Sequence, residues 1–241
     1  MKELIAKLLK WSLSTKILSL PRSVLWKVVV FHLKSKRAVI VSFNDSERRN
    51  TFDLICRVKR EADMLLEDNE AYQVFMVVKR TEKIKGELAE VGVYKGGSAK
   101  LICEAKGDRI LHLFDTFEGL PNVGENDAHI FKNRMYAASL EAVRNYLKSY
   151  PNVHCYKGVF PDTTVPIRLN NFSFVNLDVD TYRSTLDCLE FFYPRMEQGG
   201  IIMSHDYIYA HGVKKAFDEF FANKIEVIIE LSGSQVLIVK L

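Results

Sequence analysis

Several features that would assign this chain to a common class of protein are missing from its sequence. The longest apolar run, Leu25–Leu33, is interrupted by Lys27 and falls short of the roughly 20 residues that cross a bilayer. Met1–Ser14 lacks the clean apolar core and small-residue cleavage site of a secretory signal. Four cysteines without paired spacing exclude a zinc site or disulfide framework and predict reduced thiols. They are Cys56, Cys103, Cys155 and Cys188. We therefore expect a cytoplasmic protein.

Two glycine-rich nucleotide motifs are also missing. The Walker pattern places a lysine after its last glycine, but Lys95 precedes the glycine pair Gly96–Gly97. The dinucleotide pattern G-x-G-x-x-G fails because Tyr94 stands where the second glycine belongs. Neither ATP nor NAD is therefore the expected ligand.

The segment Gly86–Ser98 nevertheless has the pattern of a nucleoside site. A short apolar strand leads into a turn with three glycines, and a helical pattern begins at Ser98. Glycines allow a close approach of the backbone to a ligand, and the free N–H groups of a helix start favour an anion. Asp115 ends the next apolar run, a little over twenty residues after Gly92, and suits the hydroxyls of a ribose. The alternative is a tight turn without a ligand.

From Gly86 onward the sequence alternates strand and helix patterns. Strands are predicted at residues 88–91, 109–114, 153–156, 172–177 and 200–204, with a closing hairpin of 225–230 and 235–240. Helices are predicted at residues 53–66, 70–79, 98–105, 135–149, 182–192 and 213–221. Such alternation predicts an α/β fold with a mainly parallel sheet and helices on both faces.

Carboxylates follow the predicted strands, where the crevice of an open α/β sheet lies. Asp178 and Asp180 are two residues apart and face the same way in an extended segment. Asp206 follows the neighbouring strand. Three such carboxylates would bind Mg²⁺ or Ca²⁺. The alternative is that each one only caps a helix or orients a loop.

The pattern Glu-x-Gly-x-Tyr-x-Gly-x-Ser at residues 90–98 resembles motif I of class I S-adenosylmethionine-dependent methyltransferases, in the form of the catechol O-methyltransferase group. With Phe114–Pro121, Gly158–Thr163 and Leu177–Gly200, the chain resembles the macrocin O-methyltransferase family of sugar-modifying enzymes. The resemblance covers roughly residues 86–221. It implies a Rossmann-like seven-stranded sheet with an antiparallel last strand.

The resemblance also implies S-adenosylmethionine as methyl donor, a divalent cation such as Mg²⁺, and a hydroxyl of a sugar, as a small molecule or glycan, as acceptor. The donor-binding residues it implies are Glu90, Gly92, Val93, Tyr94, Gly96, Ser98, Asp115, Thr116, Phe160 and Asp162. The implied catalytic residues are Asp178, Asp180 and His205, and the metal ligands Asp178, His205 and Asp206.

One departure concerns His205. The family presents two adjacent acidic residues there, whereas this chain has His205–Asp206. The imidazole could be a metal ligand, the proton acceptor or a hydrogen-bonded neighbour of the site, and it is a poor Mg²⁺ ligand. Two alternatives to a sugar methyltransferase therefore stay open. One is a methyltransferase for a lipid-linked or phenolic acceptor, and the other a non-catalytic nucleoside-binding subunit.

The basic charge is concentrated at the N-terminus, which predicts a basic, mostly helical extension at residues 1–50 before a methyltransferase domain at 51–241. Residues 1–60 hold fourteen Lys/Arg and four Asp/Glu. Residues 2–20 have the spacing of an amphipathic helix, which could lie on the inner face of an anionic membrane. The alternative is packing on its own domain or on a second subunit of a homodimer. Nucleic acid is not an expected partner, because no binding motif accompanies the charge.

Overall fold

A seven-stranded sheet runs through the structure, a computed structural model that describes residues 46–121 and 123–241. In chain order the strands are β1 (Glu87–Val91), β2 (Leu111–Asp115), β3 (Val153–Lys157), β4 (Phe172–Leu177), β5 (Met196–Ser204), β6 (Ile229–Glu230) and β7 (Val236–Val239). Their order across the sheet is β3-β2-β1-β4-β5-β7-β6. Strands β1 to β5 are parallel, β7 is antiparallel to β5, and β6 is antiparallel to β7. The predicted mainly parallel sheet with an antiparallel last strand is confirmed.

Six α-helices accompany the strands in the described part of the chain. They are α1 (Ser46–Ala62), α2 (Asp68–Arg80), α3 (Gly97–Ala105), α4 (Leu140–Leu147), α5 (Tyr182–Phe192) and α6 (His211–Phe221). A 3₁₀ turn, Asp162–Ile167, follows β3. Helix α1 begins before residue 51, so residues 46–50 continue in one helix with the start of the expected domain.

Both faces of the sheet are covered. Val91, Val175 and Ile202 join a buried cluster with residues of α5 and α6. Strand alternation turns Leu88 and Leu113 toward the opposite face, and both are fully buried as well. Because both faces are buried, the central strands read as nearly continuous apolar runs, which is what made them recognisable in the sequence.

Helix α4 is shorter than predicted. It begins at Leu140, because the Ser139 hydroxyl accepts a hydrogen bond from the Ala142 amide at 3.2 Å and caps the first turn. Arg134 and Tyr136 have positive φ angles of 69° and 62°, which no α-helix accommodates. The long connection from β2 to α4 therefore extends to Ser139.

The predicted amphipathic helix at residues 2–20 lies outside the described residues. Within residues 46–121 and 123–241, none of the helices combines the length and apolar character that crossing a bilayer requires.

Candidate active site

A cavity of about 260 Å³ opens at the carboxyl ends of the central strands. After β1 the chain continues to β2 and β3 on one side of β1, and then crosses to β4 on the other side. The strand order therefore reverses between the neighbouring strands β1 and β4. Such a switch point leaves a crevice between the loops that follow the two strands. The cavity walls include Gly92 after β1, Asp115 at the end of β2, Asp178 after β4 and Asp206 after β5.

The turn after β1 requires glycine at residue 92. Its φ is +87°, and a Cβ atom there would lie 1.9 Å from the carbonyl oxygen of Asp178. Gly96, at φ +81°, is the N-cap of α3. The turn thus brings the backbone against the loop after β4 and leads into the first turn of α3, whose residues Gly97 and Ser98 line the cavity. The free N–H groups of a helix start favour an anion there.

Asp115 ties the loops after β1 and β2 together. Its Oδ2 accepts hydrogen bonds from the amides of Val93 at 2.7 Å and Tyr94 at 2.8 Å. Its Oδ1 accepts a third, from the Phe117 amide at 2.6 Å. A carboxylate has about four acceptor positions, so one is left for a ligand hydroxyl.

Three carboxylates meet at one end of the cavity. Ligand oxygens of Asp178, Asp180 and Asp206 lie within 4.8 Å of one another. Burial raises the pKa of Asp178 to about 7, with a further contribution from the charges of Glu70 and Asp115. Burial also raises the pKa of Asp206 to about 6 and, together with Asp178 and Asp206, holds the pKa of Asp180 well above its usual range. Such a group is costly without a cation, and its all-oxygen ligands suit a hard divalent ion.

His205, expected among the metal ligands, is not one of the three residues whose ligand atoms lie within 4.8 Å of one another. The residue that joins Asp178 and Asp206 is Asp180. The His205 side chain borders the cavity but is almost fully buried, with its Nε2 atom 3.0 Å from Oδ1 of Asn176. Burial lowers the pKa of His205, so the imidazole is neutral at pH 7.

Glu90 is completely buried in β1 and lies behind the cavity wall. Desolvation raises the pKa of its carboxyl to about 8, although hydrogen bonds from Ser98 and Asn176 act in the opposite direction. The side chain therefore carries a proton at neutral pH. Its Oε2 atom has no hydrogen-bond partner among the described residues.

Most of the residues expected at the site do line the cavity. They are Gly92, Val93, Tyr94, Ser98, Asp115, Thr116, Phe160, Asp178, Asp180, His205 and Asp206. Glu90, Gly96 and Asp162 are not on its wall, and Asp162 is exposed. The Phe160 ring packs edge-on against Phe114 and is stacked on Phe192, so it offers a fixed apolar wall.

Several cavity residues were missed by sequence reasoning, among them Glu70, Tyr136 and Ser234. Tyr136 was assigned to a helix, although Ser139 carried a helix N-cap signal that would have placed it in the preceding loop. Its ring meets that of Tyr94 edge-to-face at 6.0 Å. Glu70 and Ser234 carried no signal, because they come together only through contacts between distant parts of the chain.

Comparison with known proteins identifies the family. The model of the macrocin O-methyltransferase family (TylF) matches residues 36–231. Demethyldecarbamoylnovobiocin O-methyltransferase of Streptomyces niveus is 31% identical over 164 residues, which is 61% of this chain and 62% of that protein. The 8-demethyl-8-(2,3-dimethoxy-alpha-L-rhamnosyl)-tetracenomycin-C 4'-O-methyltransferase of Streptomyces olivaceus is 34% identical over 157 residues, 58% of this chain and 59% of that protein. The chain thus spans about three fifths of the length of these curated relatives.

A solved O-methyltransferase structure has a similar fold. The O-methyltransferase NovP superimposes with a TM-score of 0.66 and 27% identity, covering 73% of this chain and 81% of that one. Since the family model matches well over half of the sequence, the chain belongs to the macrocin O-methyltransferase family of class I S-adenosylmethionine-dependent methyltransferases.

Proposed function

We propose that this chain transfers the methyl group of S-adenosylmethionine to a hydroxyl of a sugar, with the help of a divalent cation. The observation that carries the proposal is the meeting of Asp178, Asp180 and Asp206 in a cavity that also contains the glycine turn after β1. Support for a sugar acceptor comes from the Streptomyces olivaceus relative, whose name specifies a rhamnosyl group.

The donor would lie along the glycine turn. Its methionine carboxylate suits the first N–H groups of α3 near Ser98, since a helix N-terminus favours an anion. The remaining acceptor position of Asp115 suits a ribose hydroxyl, and the Phe160 ring offers an apolar surface for the adenine. The glycine turn and the three carboxylates line the same cavity, so a donor bound along the turn would share that cavity with the carboxylates.

The carboxylate group fits a divalent cation such as Mg²⁺. Asp178, Asp180 and Asp206 would hold it, because they supply three hard oxygen ligands whose mutual repulsion a cation relieves. A bound cation of this kind lowers the pKa of a coordinated hydroxyl.

The reaction is an in-line displacement. The acceptor oxygen forms a bond to the methyl carbon while the bond from that carbon to sulfur breaks, and sulfur keeps the electron pair as a neutral thioether. The hydroxyl proton must leave. A cation would make the hydroxyl more acidic, and a carboxylate oxygen of Asp180 that does not face the cation could accept the proton. The protein contributes mainly by holding the two reactants in line.

The test combines donor binding with methyl transfer. Calorimetry should detect binding of S-adenosylhomocysteine, and Asp115→Ala should weaken it by about 1–3 kcal/mol through loss of a charged hydrogen-bonding group. With S-adenosylmethionine labelled in its methyl group, an aryl α-L-rhamnoside should gain label in the presence of Mg²⁺. Asp180→Asn should abolish most of the transfer and preserve binding of S-adenosylhomocysteine.

Catechol serves as the phenolic acceptor for comparison. Methylation of catechol in preference to the glycoside would replace the sugar acceptor by a phenolic one. Transfer that is unchanged by EDTA would remove the cation from the proposal. Binding of the donor without transfer to either acceptor would support a non-catalytic nucleoside-binding subunit instead.

A further inference from the structure

Four buried polar side chains form a row beneath the cavity: Gln235 in the loop before β7, His205 after β5, Asn176 in β4 and Glu90 in β1. The Nε2 atom of Gln235 lies 3.3 Å from Nδ1 of His205. His205 Nε2 lies 3.0 Å from Oδ1 of Asn176. Asn176 Nδ2 donates to Oε1 of Glu90 at 2.9 Å. Each ring nitrogen of His205 thus has an amide partner.

The backbone fixes the direction of this row. The side-chain nitrogen of Gln235 also faces the carbonyl oxygen of Glu70 at 3.3 Å, and a carbonyl only accepts. With its amide held that way, Gln235 donates to Nδ1 of His205. The neutral imidazole then carries its proton on Nε2 and donates to the Asn176 oxygen, since the two ring nitrogens have opposite roles. The Asn176 nitrogen is left to donate to Glu90.

The far end of the row reaches the donor side of the cavity. Glu90 and Asn176 are register partners in the adjacent strands β1 and β4, so their side chains lie on the same side of the sheet. Glu90 directly precedes Val91 and Gly92, which line the cavity, and the Ser98 hydroxyl in the first turn of α3, also on the cavity wall, is near enough to lower the pKa of the Glu90 carboxyl. The row therefore connects the loop of the carboxylate group with the start of the helix at which the methionine end is proposed to bind.

We propose that His205 is a positioning residue for the donor site and not a ligand of the cation. It sets the orientation of the Asn176 amide, and through Asn176 that of the Glu90 carboxyl and Ser98. The inference rests on the proposed function for the location of the donor. It also explains how a histidine is accommodated beside Asp206: a neutral imidazole supplies the one donor and one acceptor that two flanking amides require.

The experiment uses the full chain and three variants. His205→Leu removes both hydrogen bonds. His205→Gln restores one donor and one acceptor, because a primary amide offers both. Asn176→Ser breaks the row at its next member. Affinity for S-adenosylhomocysteine is measured by calorimetry in EDTA, and affinity for Mn²⁺, the cation probe, by electron paramagnetic resonance.

We expect His205→Leu and Asn176→Ser each to weaken S-adenosylhomocysteine binding roughly tenfold, the scale of a broken buried hydrogen bond. His205→Gln should stay within about threefold of the wild type. The double variant His205→Leu with Asn176→Ser should lose no more than either single variant, because both interrupt the same row. Mn²⁺ affinity should be unchanged in His205→Leu.

Two results would overturn the inference: a loss of Mn²⁺ affinity in His205→Leu with intact S-adenosylhomocysteine binding, or equal losses in His205→Leu and His205→Gln. If His205→Leu does not fold, as a thermal melt would reveal, Asn176→Ser carries the test, and unchanged affinity in that variant contradicts the row. A wild-type chain that binds no S-adenosylhomocysteine would instead contradict the proposed function itself.

Discussion

Asp178 shows at the scale of one residue how the proposed site opposes the stability of the fold. Burial raises its pKa to about 7 in the folded chain, whereas an unfolded aspartate has a pKa of about 3.9. Between these two values the folded state holds a proton that the unfolded state has lost. Below pH 4 the Asp178 carboxyl is protonated in both states and does not lower the free energy of unfolding. As the pH rises toward about 7 the unfolded state gives up this proton more readily than the folded state, and the free energy of unfolding falls.

Replacing Asp178 by Asn should remove this loss. In EDTA, we expect the free energy of unfolding of the variant, relative to that of the wild type, to increase by on the order of a few kcal/mol as the pH is raised from 5 to 8. Thermal melts at the two pH values measure it, at about 2–4 °C for each kcal/mol. Mg²⁺ at pH 8 should raise the melting temperature of the wild type and leave that of Asp178→Asn unchanged.

Asp162→Asn is the matched control, because Asp162 is an exposed aspartate outside the cavity. Its melting temperature should follow the wild type at both pH values. Glu90 is present in all three proteins, so its own titration cancels in the comparison. If the melting temperatures of the wild type and Asp178→Asn depended equally on pH, ionisation of the Asp178 carboxyl would not destabilise the fold.

The carboxylates and the partners of His205 differ in how far the sequence could predict them. Asp178 and Asp206 follow adjacent parallel strands, and the ends of such strands meet at one edge, so the apolar runs were sufficient. The partners of His205 are Asn176 and Gln235, which are 29 and 30 residues away in the chain. Which amide side chains lie beside the imidazole of His205 depends on the register of the strands and on the hairpin before β7. No local sequence pattern predicts either of these.

At the scale of elements, the loop from β2 to α4 is the part that sequence reasoning did not resolve. The strands and helices around it are amphipathic or apolar segments with a clear period. The loop is held instead by individual side-chain hydrogen bonds, one of which is made by Asp127. Its buried carboxylate accepts a hydrogen bond from the Tyr182 amide at the start of α5 at 3.1 Å. A contact of this kind has no periodicity to recognise.

Gly212 in the first turn of α6 permits that contact. A Cβ atom at residue 212 would lie 1.9 Å from Oδ1 of Asp127. We expect Gly212→Ala to displace the carboxylate and to lower the free energy of unfolding by about 1–3 kcal/mol, the scale of an overpacked core position. Denaturant unfolding measures the change.

Gly124→Ala is the control within the same loop, since a Cβ atom there meets nothing within 4 Å. It should change stability by no more than about 0.5 kcal/mol. The double variant Asp127→Ala with Gly212→Ala should lose less than the sum of the two single losses, because the closest clash disappears with the carboxylate and only the 2.8 Å approach to the Tyr182 backbone nitrogen remains. Additive losses would mean that the two residues do not interact.

At the scale of the whole molecule, charge divides the chain. Residues 1–45 hold nine Lys/Arg and two Asp/Glu, whereas residues 46–241 hold twenty-five and twenty-eight. The proposed donor and cation residues all belong to the second, slightly acidic part. Residues 1–45 contain none of the residues proposed to bind the donor or the cation, which makes an anionic surface the expected target of their charge.

We predict that the full chain binds vesicles containing phosphatidylglycerol and not vesicles of phosphatidylcholine alone. Binding should weaken steeply from about 0.05 to 0.5 M salt, because screening shortens the reach of exposed charges. The triple variant Lys7→Gln, Lys10→Gln, Lys16→Gln should bind roughly a hundredfold more weakly, at about 1 kcal/mol for each lysine near the surface. Its affinity for S-adenosylhomocysteine should equal that of the wild type. Vesicle sedimentation provides the measurement.

Equal binding to both lipids, or binding insensitive to salt, would contradict an electrostatic contact. A variant that loses self-association in analytical ultracentrifugation, with no change on vesicles, would assign residues 1–45 to the interface of a homodimer.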